Sequence, residues 1–500
     1  MKRSYVFPLF FSLVFILLTS VWGSPLYYKT FGADSSFFSM IGRLILDGKV
    51  MYRDYVDVKG PVFFFWEAFG QLFFKGRTGV FFIECICILF TEFFLCRFCD
   101  LRELSRGGFI LVHVVFYTLL VGALWGGNTL EEYVLPLLLA CTCITLGFLK
   151  NGTYKNTEVI FMGLAFGICL FSKVTVSAPI IAVVLFISQR LIKEKRFKEL
   201  GKCAALFAAG ILIIAVPVLA WYAFKGALGD MLEWSFHKAF LRAVDTNYDV
   251  SGNEFNDTGL KMRLLCMLPV ICALLTGISL LFQGKKSEDR DAGERGALLT
   301  LMSALVFASL WFGTSYIYYY IMELPVVILT VAELYTDLKA AEKSTLSWAR
   351  SRAVLVMLLI SCIVFARDFL ENLPAYRIIL TTNATELIEE QLTKLYSVIP
   401  GDEKEDVLYL SPGPMFFEVN GIVPNTRCPN NLGYFCDLDE GIYSEVKGAL
   451  EGPERPKWIV TGHLEELGLP EIQDLVKESY SLYAKGDLNN IYILKTEKPQ

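Results

Sequence analysis

Long apolar runs alternate with short polar segments along most of the chain. A transmembrane helix needs about 20 mostly apolar residues, and runs of this kind predict eleven spans. Two of the runs are shorter than ideal, and residues 158–190 could form one broken unit. The predicted spans are residues 5–23, 79–96, 107–124, 129–149, 158–172, 174–190, 201–223, 260–283, 297–312, 317–337 and 352–368.

The charge of the loops predicts the orientation of the chain. Lysine and arginine concentrate in alternate loops, such as residues 189–202 and 283–295, on the same side as Lys2 and Arg3. Because such loops stay in the cytoplasm, we expect a cytoplasmic N-terminus and, after an odd number of spans, an extracytoplasmic C-terminal domain. The first run could instead be a signal peptide, but the lack of a small-x-small cleavage site favours an uncleaved helix.

Two short amphipathic segments lie in the first outer loop, residues 24–78. Gly32 to Ser36 is typical of a helix start, because Asp and Ser side chains accept hydrogen bonds from exposed N–H groups, and Gly48 is typical of a helix end. Pro61 predicts the start of a second helix. Both helices are too short to span, so we expect them to lie on the outer membrane surface. Apolar residues of the first segment recur at helical spacing: Phe37, Met40, Ile41, Leu44 and Ile45.

The chain after the last apolar run predicts a separate domain. Helix-like and strand-like segments alternate there, which indicates a small extracytoplasmic α/β domain at residues 371–500 behind a transmembrane domain at residues 1–370. The predicted fold class is mainly α: a polytopic membrane protein with about eleven transmembrane helices, two juxtamembrane helices and this outer domain. Cys428 and Cys436 lie on the oxidising side, where they could form a disulfide or remain free.

Composition narrows the classes of function. Of 500 residues, 54% are hydrophobic and 19% are charged, and mean hydropathy is +0.48; a soluble domain has about 25% charged residues. A net charge of −5 and three histidines argue against a nucleic-acid partner and against a metal cluster built from histidines. The glycine patterns of P-loop and dinucleotide-binding proteins do not occur.

Charged side chains of the first outer loop are the leading candidate site residues. Asp34 could orient or deprotonate a hydroxyl group. Lys59 could hold a phosphate as a point charge, with Asp57 beside it. Each residue also has a simpler interpretation: Asp34 as a helix cap, and Asp57 with Lys59 as a solvated turn with a local ion pair.

Further candidates lie near the predicted outer ends of the spans. Glu131 and Glu132 could shape an acceptor site or belong to a solvated loop. Lys173 interrupts an apolar stretch, either as a phosphate ligand or as a lysine that reaches to the interface. Arg242 could contact a lipid phosphate or anchor an amphipathic segment to the membrane. Residues 316–320, rich in tyrosine, predict an interfacial aromatic belt.

The order of these parts resembles the membrane-embedded GT-C glycosyltransferases, in particular the bacterial family-39-like group of protein O-mannosyltransferases and aminoarabinose transferases. In that family an acid opens the first helix of the outer loop, as Asp34 does here. A lysine–proline element opens the second helix, matched by Asp57-Val58-Lys59-Gly60-Pro61. The family's layout is also matched further along the chain, by Glu131–Glu132, Lys173 and the segment SYIYYYIMELP at residues 315–325.

The resemblance implies transfer of a sugar, a hexose or pentose, from a polyprenyl-phosphate donor to an acceptor on the outer face. The acceptor would be an envelope glycan, a lipid or a protein, and membrane lipids are the remaining partners. Asp34 would act as general base, and lysines would stabilise the negative charge that develops on the departing phosphate. The candidate substrate-binding residues are Asp57, Lys59, Glu131, Glu132, Lys173 and Arg242.

The chain departs from the family pattern at two places, and the family's residue roles are not transferred there. The family often has a second acid where this chain has Ser35, so no metal site and no cofactor is assigned, and a divalent metal is unsupported. Tyr318–Tyr320 stand where many relatives have a His-Tyr pair, so no histidine role is transferred.

Two other classes of function compete with the transferase. A transporter or flippase for lipid-linked saccharides should have charged residues deep in several spans or paired inverted halves. The sequence concentrates its charges in the first outer loop and shows no such halves, which favours the enzyme. A non-catalytic assembly or polymerase-type envelope protein would not need Asp34.

Overall fold

A computed structural model describes residues 4–27, 32–244, 259–287, 290–312, 316–339, 345–381 and 384–495. The chain divides into two compact units. Unit 1 comprises Met1–Ser24, Phe81–Trp221 and Ala239–Ala375, and unit 2 comprises Pro25–Val80, Tyr222–Lys238 and Tyr376–Gln500. The sequence-based domain boundary near residue 370 stays a prediction. Parts of the predicted loops, residues 28–31, 245–258, 288–289 and 340–344, lie outside the described residues.

The α-helices are numbered in chain order. The first sixteen are α1 (Val6–Thr19), α2 (Ala33–Leu46), α3 (Pro61–Phe73), α4 (Arg77–Leu101), α5 (Arg106–Ala123), α6 (Leu130–Asn151), α7 (Asn156–Leu170), α8 (Ala178–Lys193), α9 (Phe197–Phe224), α10 (Leu228–Leu232), α11 (Ala239–Val244), α12 (Gly259–Cys266), α13 (Leu268–Ser287), α14 (Arg290–Trp311), α15 (Leu324–Lys339) and α16 (Thr345–Thr381). Two 3₁₀ segments, Val174–Ser177 and Ile317–Glu323, precede α8 and α15, and a π-helical segment, Glu233–Lys238, joins α10 to α11.

Nine helical segments within the described ranges are long and apolar enough to cross a membrane. They are Arg77–Leu101, Arg106–Ala123, Leu130–Asn151, Val174–Lys193, Phe197–Phe224, Leu268–Lys285, Arg290–Trp311, Ile317–Lys339 and Ser351–Glu371. The other two predicted spans coincide with shorter apolar helices, α1 and α7. The chain is therefore a multi-pass membrane protein, as predicted, whereas the number of eleven spans and the direction of insertion stay predictions.

The first outer loop folds in unit 2 as two short helices, as its amphipathic pattern predicts. Helix α2 is capped by Gly32, so Asp34 lies inside the first turn and is not the cap residue. Gly48 follows the end of α2 with a positive φ of 90°. Pro61 is the first residue of α3, where its missing N–H costs no hydrogen bond. The helices pack through aromatic rings, with the centroids of Phe38 and Phe63 4.7 Å apart.

The C-terminal part of unit 2 is the expected small α/β domain. Its sheet has the strand order β1-β2-β4-β3, with β1 parallel to β2 and the other two pairs antiparallel. Strand β1 at the edge of the sheet and strand β2 inside it are both entirely buried. The β-branched and aromatic residues of β2 suit a central strand. Cys428 and Cys436 are buried free thiols. The elements are α17 (Ala384–Tyr396), β1 (Val407–Leu410), α18 (Pro414–Asn420), α19 (Leu432–Leu438), α20 (Glu440–Glu451), β2 (Trp458–Thr461), α21 (Pro470–Ser479), β3 (Tyr480–Lys485) and β4 (Asn490–Leu494).

Candidate functional site

The turn between α2 and α3 holds Asp57 and Lys59 beside each other. Asp57 Oδ1 accepts a hydrogen bond from the Lys59 backbone N–H at 2.7 Å and lies 3.8 Å from the Lys59 ammonium. The Lys59 carbonyl in turn accepts a hydrogen bond from the Tyr52 hydroxyl at 2.6 Å. Burial raises the pKa of Tyr52 well above its usual range, so this hydroxyl stays protonated and donates. The position of the Lys59 backbone is therefore set by two hydrogen bonds within one turn.

Phe38 connects Lys59 with Asp34. The Lys59 ammonium lies 4.6 Å from the centroid of the Phe38 ring, within the range of a cation–π contact. Asp34 precedes Phe38 by one helical turn, and residues four apart share a helix face, with Cβ atoms about 6 Å apart. The Asp34 carboxylate is half-buried and forms no ion pair or hydrogen bond with the residues that the structure describes. Asp34 thus lies one helical turn before the ring that the Lys59 ammonium contacts.

The C-terminal domain fixes the turn that carries Lys59. The Tyr55 hydroxyl donates to the Pro424 carbonyl at 3.0 Å, and the Val56 N–H donates to the Arg427 carbonyl at 3.0 Å. The Arg427 guanidinium donates to the Tyr52 carbonyl at 3.2 Å. These bonds, all within unit 2, tie residues 52–56 to a rigid α/β fold, and Asp57 and Lys59 follow directly.

Asp54 stabilises the N-terminal part of the same turn through hydrogen bonds. Its carboxylate accepts the Val50 N–H at 2.7 Å and the Arg53 guanidinium at 2.9 Å. Burial alone would raise the pKa of Asp54, but these two donors outweigh it and hold the pKa below its ordinary value. The ionised form of Asp54 therefore stabilises the turn.

In unit 1, Glu131 and Lys173 form an ion pair that the sequence does not predict. The Lys173 ammonium lies 2.7 Å from Glu131 Oε1 and 3.1 Å from the centroid of the Tyr319 ring. Glu131 is 2% exposed, and the Lys173 side chain is 22% exposed. The break between α7 and the following 3₁₀ segment places the lysine there. The cation thus faces both a carboxylate and an aromatic ring.

A buried acid that sequence reasoning missed, Glu84 of α4, positions the start of α6. Its carboxylate accepts hydrogen bonds from the Ser20 hydroxyl, at 2.7 and 2.9 Å, and from the Asn128 N–H at 2.8 Å. Gly127 has a φ of 91°, and a Cβ atom there would lie 2.3 Å from Glu84 Oε1. Only glycine therefore allows the backbone at residue 127 to lie so close to the Glu84 carboxylate. The sequence does contain a signal for Glu84, because an acidic residue inside an apolar span indicates a structural or functional role.

The remaining candidates are placed as follows. Glu132 is buried in the first turn of α6, where its N–H donates to the Thr129 side chain, the cap of that helix. Arg242 lies on α11 and is half-buried. The structure brings Asp57 together with Lys59 in unit 2, and Glu131 together with Lys173 in unit 1; the roles of all these residues stay predictions.

Comparisons with known proteins identify the fold. No protein-family model and no curated protein sequence matches the chain. Among solved structures, ArnT from Cupriavidus metallidurans bound to undecaprenyl phosphate is 12% identical, with a TM-score of 0.58 and 99% of each chain covered. The apo state of the same ArnT is 10% identical, with a TM-score of 0.57 and 97% of each chain covered. The chain therefore has the fold of ArnT, and the mainly helical membrane architecture with a small sheet that the sequence predicts is confirmed.

Proposed function

We propose that this chain, which has the fold of ArnT, is an integral membrane glycosyltransferase. It transfers a sugar from a polyprenyl-phosphate donor to a cell-envelope acceptor, a glycan, lipid or protein, on the outer face of the membrane. The observation that carries the proposal is an acid one helical turn before a ring that a cation contacts. Asp34, which has no partner among the described residues, precedes Phe38 on α2, and Lys59 lies over the Phe38 ring. The fold over the whole chain supports it, since ArnT was solved with undecaprenyl phosphate.

The proposed reaction exchanges one bond of the sugar for another. The acceptor hydroxyl attacks the anomeric carbon, and its proton passes to the Asp34 carboxylate as the new glycosidic bond forms. The bond between the anomeric carbon and the donor phosphate breaks, and its electron pair stays on the phosphate oxygen. Lys59 stabilises that developing charge. Since Lys59 precedes α3 by two residues, the partial positive charge of the helix N-terminus adds to the effect.

Asp57 is proposed to hold the Lys59 ammonium in place while leaving part of it accessible. The 3.8 Å separation is longer than a charge-assisted hydrogen bond, which is usually 2.7–2.9 Å. A phosphate oxygen can therefore become the closer partner of Lys59. Lys173 is proposed as a second cation that donor use requires, with Glu131 as the group that orients it. Glu132 and Arg242 remain candidate substrate contacts.

Three of the buried acids in the spans bear on the competing transporter hypothesis. Glu84, Glu92 and Glu333 all lie in helices long enough to span. Each is bonded to neighbouring segments: Glu84 to Ser20, Glu92 to Tyr117 at 2.7 Å and Glu333 to Arg102 at 2.7 Å. Carboxylates that are satisfied in this way join helices to one another, so they favour a packing role over a transport route.

A reconstituted assay tests the proposal. The purified chain in lipid nanodiscs is given a panel of undecaprenyl-phosphate pentoses and hexoses with envelope acceptors, and released undecaprenyl phosphate is measured by mass spectrometry. Release by the wild type and its loss in Asp34→Asn support the transferase. The matched control is Asp47→Asn, an exposed acid at the end of the same helix, which should retain activity. Full activity of Asp34→Asn removes the base assignment, and donor movement across a bilayer without cleavage supports a flippase.

A further inference from the structure

Glu92, Cys96 and His113 form a cluster in unit 1 that the proposed reaction does not use. Glu92 and Cys96 are four residues apart on α4, so they share one face of that helix. His113 comes from α5 and is the one histidine of the chain inside a predicted span, since the other two are His237 and His463. Glu92 and Cys96 are completely buried, and the His113 side chain is 13% exposed.

The three ligand atoms converge on one point. His113 Nε2 lies 2.9 Å from Glu92 Oε1, Cys96 Sγ lies 3.1 Å from the same oxygen, and Sγ lies 4.0 Å from Nε2. Two ligands of a tetrahedral zinc ion, each about 2.0–2.3 Å from the metal, are roughly 3.3–3.7 Å apart. The observed separations bracket this range, so shifts of about half an ångström would place all three atoms in a zinc coordination shell.

Neighbouring groups orient the ligand atoms toward that point. His113 Nδ1 lies 2.8 Å from the Phe109 carbonyl oxygen, which can only accept, so Nδ1 carries the proton and Nε2 presents its lone pair when the ring is neutral. The Tyr117 hydroxyl donates to Glu92 Oε2 at 2.7 Å and leaves Oε1 facing the other two ligands. Hydrogen bonds of this kind, from a histidine to a carbonyl and to a ligating carboxylate, are the usual support of protein metal sites.

The charges of the set also suit a divalent ion inside a membrane protein. A thiolate, a carboxylate and a neutral imidazole carry two negative charges in total, so a bound Zn²⁺ gives a neutral site. Neutrality matters here because a net charge within a span is costly. Thiolate and imidazole ligands select zinc and similar transition metals over magnesium or calcium.

We propose that Glu92, Cys96 and His113 bind one zinc-class transition-metal ion, which ties α4 to α5. The Tyr117 ring also packs against α1, with centroids 5.1 Å from Phe11 and 4.6 Å from Phe15. The ion would therefore tie α4 to α5 directly, next to the place where Tyr117 of α5 packs against α1, and its role is structural. The composition argument against a histidine-built cluster does not apply, because sulfur and carboxylate supply two of the three ligands.

Metal analysis and cobalt spectroscopy test the proposal on the full-length protein, purified through a tag without histidines. The wild type should hold about one zinc ion per chain after dialysis against a weak chelator. Replacement by Co²⁺ should give the intense near-ultraviolet band of a thiolate–cobalt bond. Cys96→Ser and His113→Gln should lose most of the metal, whereas Cys87→Ser, a buried cysteine on the same helix, should keep it.

A further variant separates metal binding from folding. Cys96→His replaces one ligand by another, so it should still bind cobalt but lack the thiolate band. Absence of metal from the wild type at micromolar free zinc or cobalt would overturn the proposal, and the cluster would then be a hydrogen-bonded network only. Equal metal content in Cys96→Ser, His113→Gln and Cys87→Ser would overturn it as well, because the ion would then bind elsewhere.

Discussion

The Lys59 ammonium lies 4.6 Å from the centroid of the Phe38 ring, and this contact relates the two helices of the first outer loop. Phe38 belongs to α2, one turn after Asp34, and Lys59 precedes α3. Hydrogen bonds from Lys59 to Asp57 and from Tyr52 to Lys59 hold the lysine backbone at this position. The proposed phosphate-binding cation therefore contacts the helix that carries the proposed catalytic acid.

Replacement of Lys59 should weaken use of the lipid-phosphate donor. A hydrogen bond to a charged group contributes about 1.5–3 kcal/mol, so Lys59→Ala should lower kcat/KM for the donor roughly 10- to 100-fold. Lys59→Arg should retain more activity than Lys59→Ala, because it keeps the charge. Steady-state kinetics with the donor varied provide the measurement. Lys49→Ala, an exposed lysine of the same loop, is the control, and an unchanged donor dependence of Lys59→Ala would contradict the phosphate role.

Loss of one partner of the Glu131–Lys173 pair should destabilise unit 1. Glu131 is 2% exposed, so Lys173→Met leaves a nearly buried carboxylate without its 2.7 Å cation. Such a loss costs on the order of 3 kcal/mol. The double variant Glu131→Gln/Lys173→Met should be more stable than Lys173→Met alone. Thermal unfolding in detergent measures both effects, and additive losses in the double-mutant cycle would show that the pair is not coupled.

The sequence predicts the elements around the candidate site better than the contacts within it. Pro61 and the helical spacing from Phe37 to Ile45 are local signals, and both predicted the observed helices α2 and α3. The ion pair of Glu131 with Lys173 joins residues 42 positions apart, which no local pattern encodes.

The candidate residues predicted from the sequence also omitted single acidic residues inside apolar runs. Hydropathy averages over a window, so Glu84 and Glu92 did not interrupt the predicted span at residues 79–96. Their function depends on partners from other segments, Ser20 and Asn128 for Glu84 and His113 for Glu92. Only the fold brings these groups together.

The C-terminal domain should be needed to order the turn before Lys59. Arg427→Ala removes the 3.2 Å hydrogen bond to the Tyr52 carbonyl. We expect faster amide exchange in residues 50–59 and a several-fold lower transfer rate, because one such bond contributes about 1 kcal/mol. Hydrogen-exchange mass spectrometry measures the turn directly. Arg455→Ala, in the same domain but bonded to Ser479, is the control and should leave that peptide unchanged.

The stability of the turn at residues 50–55 should fall in acid. The pKa of Asp54 is held below its ordinary value of 3.8 by Arg53 and the Val50 N–H. A lowered folded-state pKa contributes stability that is present above the unfolded value and is lost as the pH falls through the folded value. Pepsin cleavage of the turn should therefore accelerate as the pH falls below about 4. Asp54→Asn should show a weaker dependence, and identical profiles for both proteins would contradict this assignment.

The central claim is that this chain transfers a sugar from a lipid-phosphate donor through Asp34. Its most direct measurement is mass spectrometry of envelope glycans, glycolipids and glycoproteins from cells that lack the chain and are complemented with wild type, Asp34→Asn or Asp47→Asn. Because general base catalysis contributes roughly 10²- to 10⁴-fold, we expect one sugar modification to be restored by the wild type and by Asp47→Asn but not by Asp34→Asn at equal protein levels. Full restoration by Asp34→Asn, or the same envelope composition in all strains, would contradict the account.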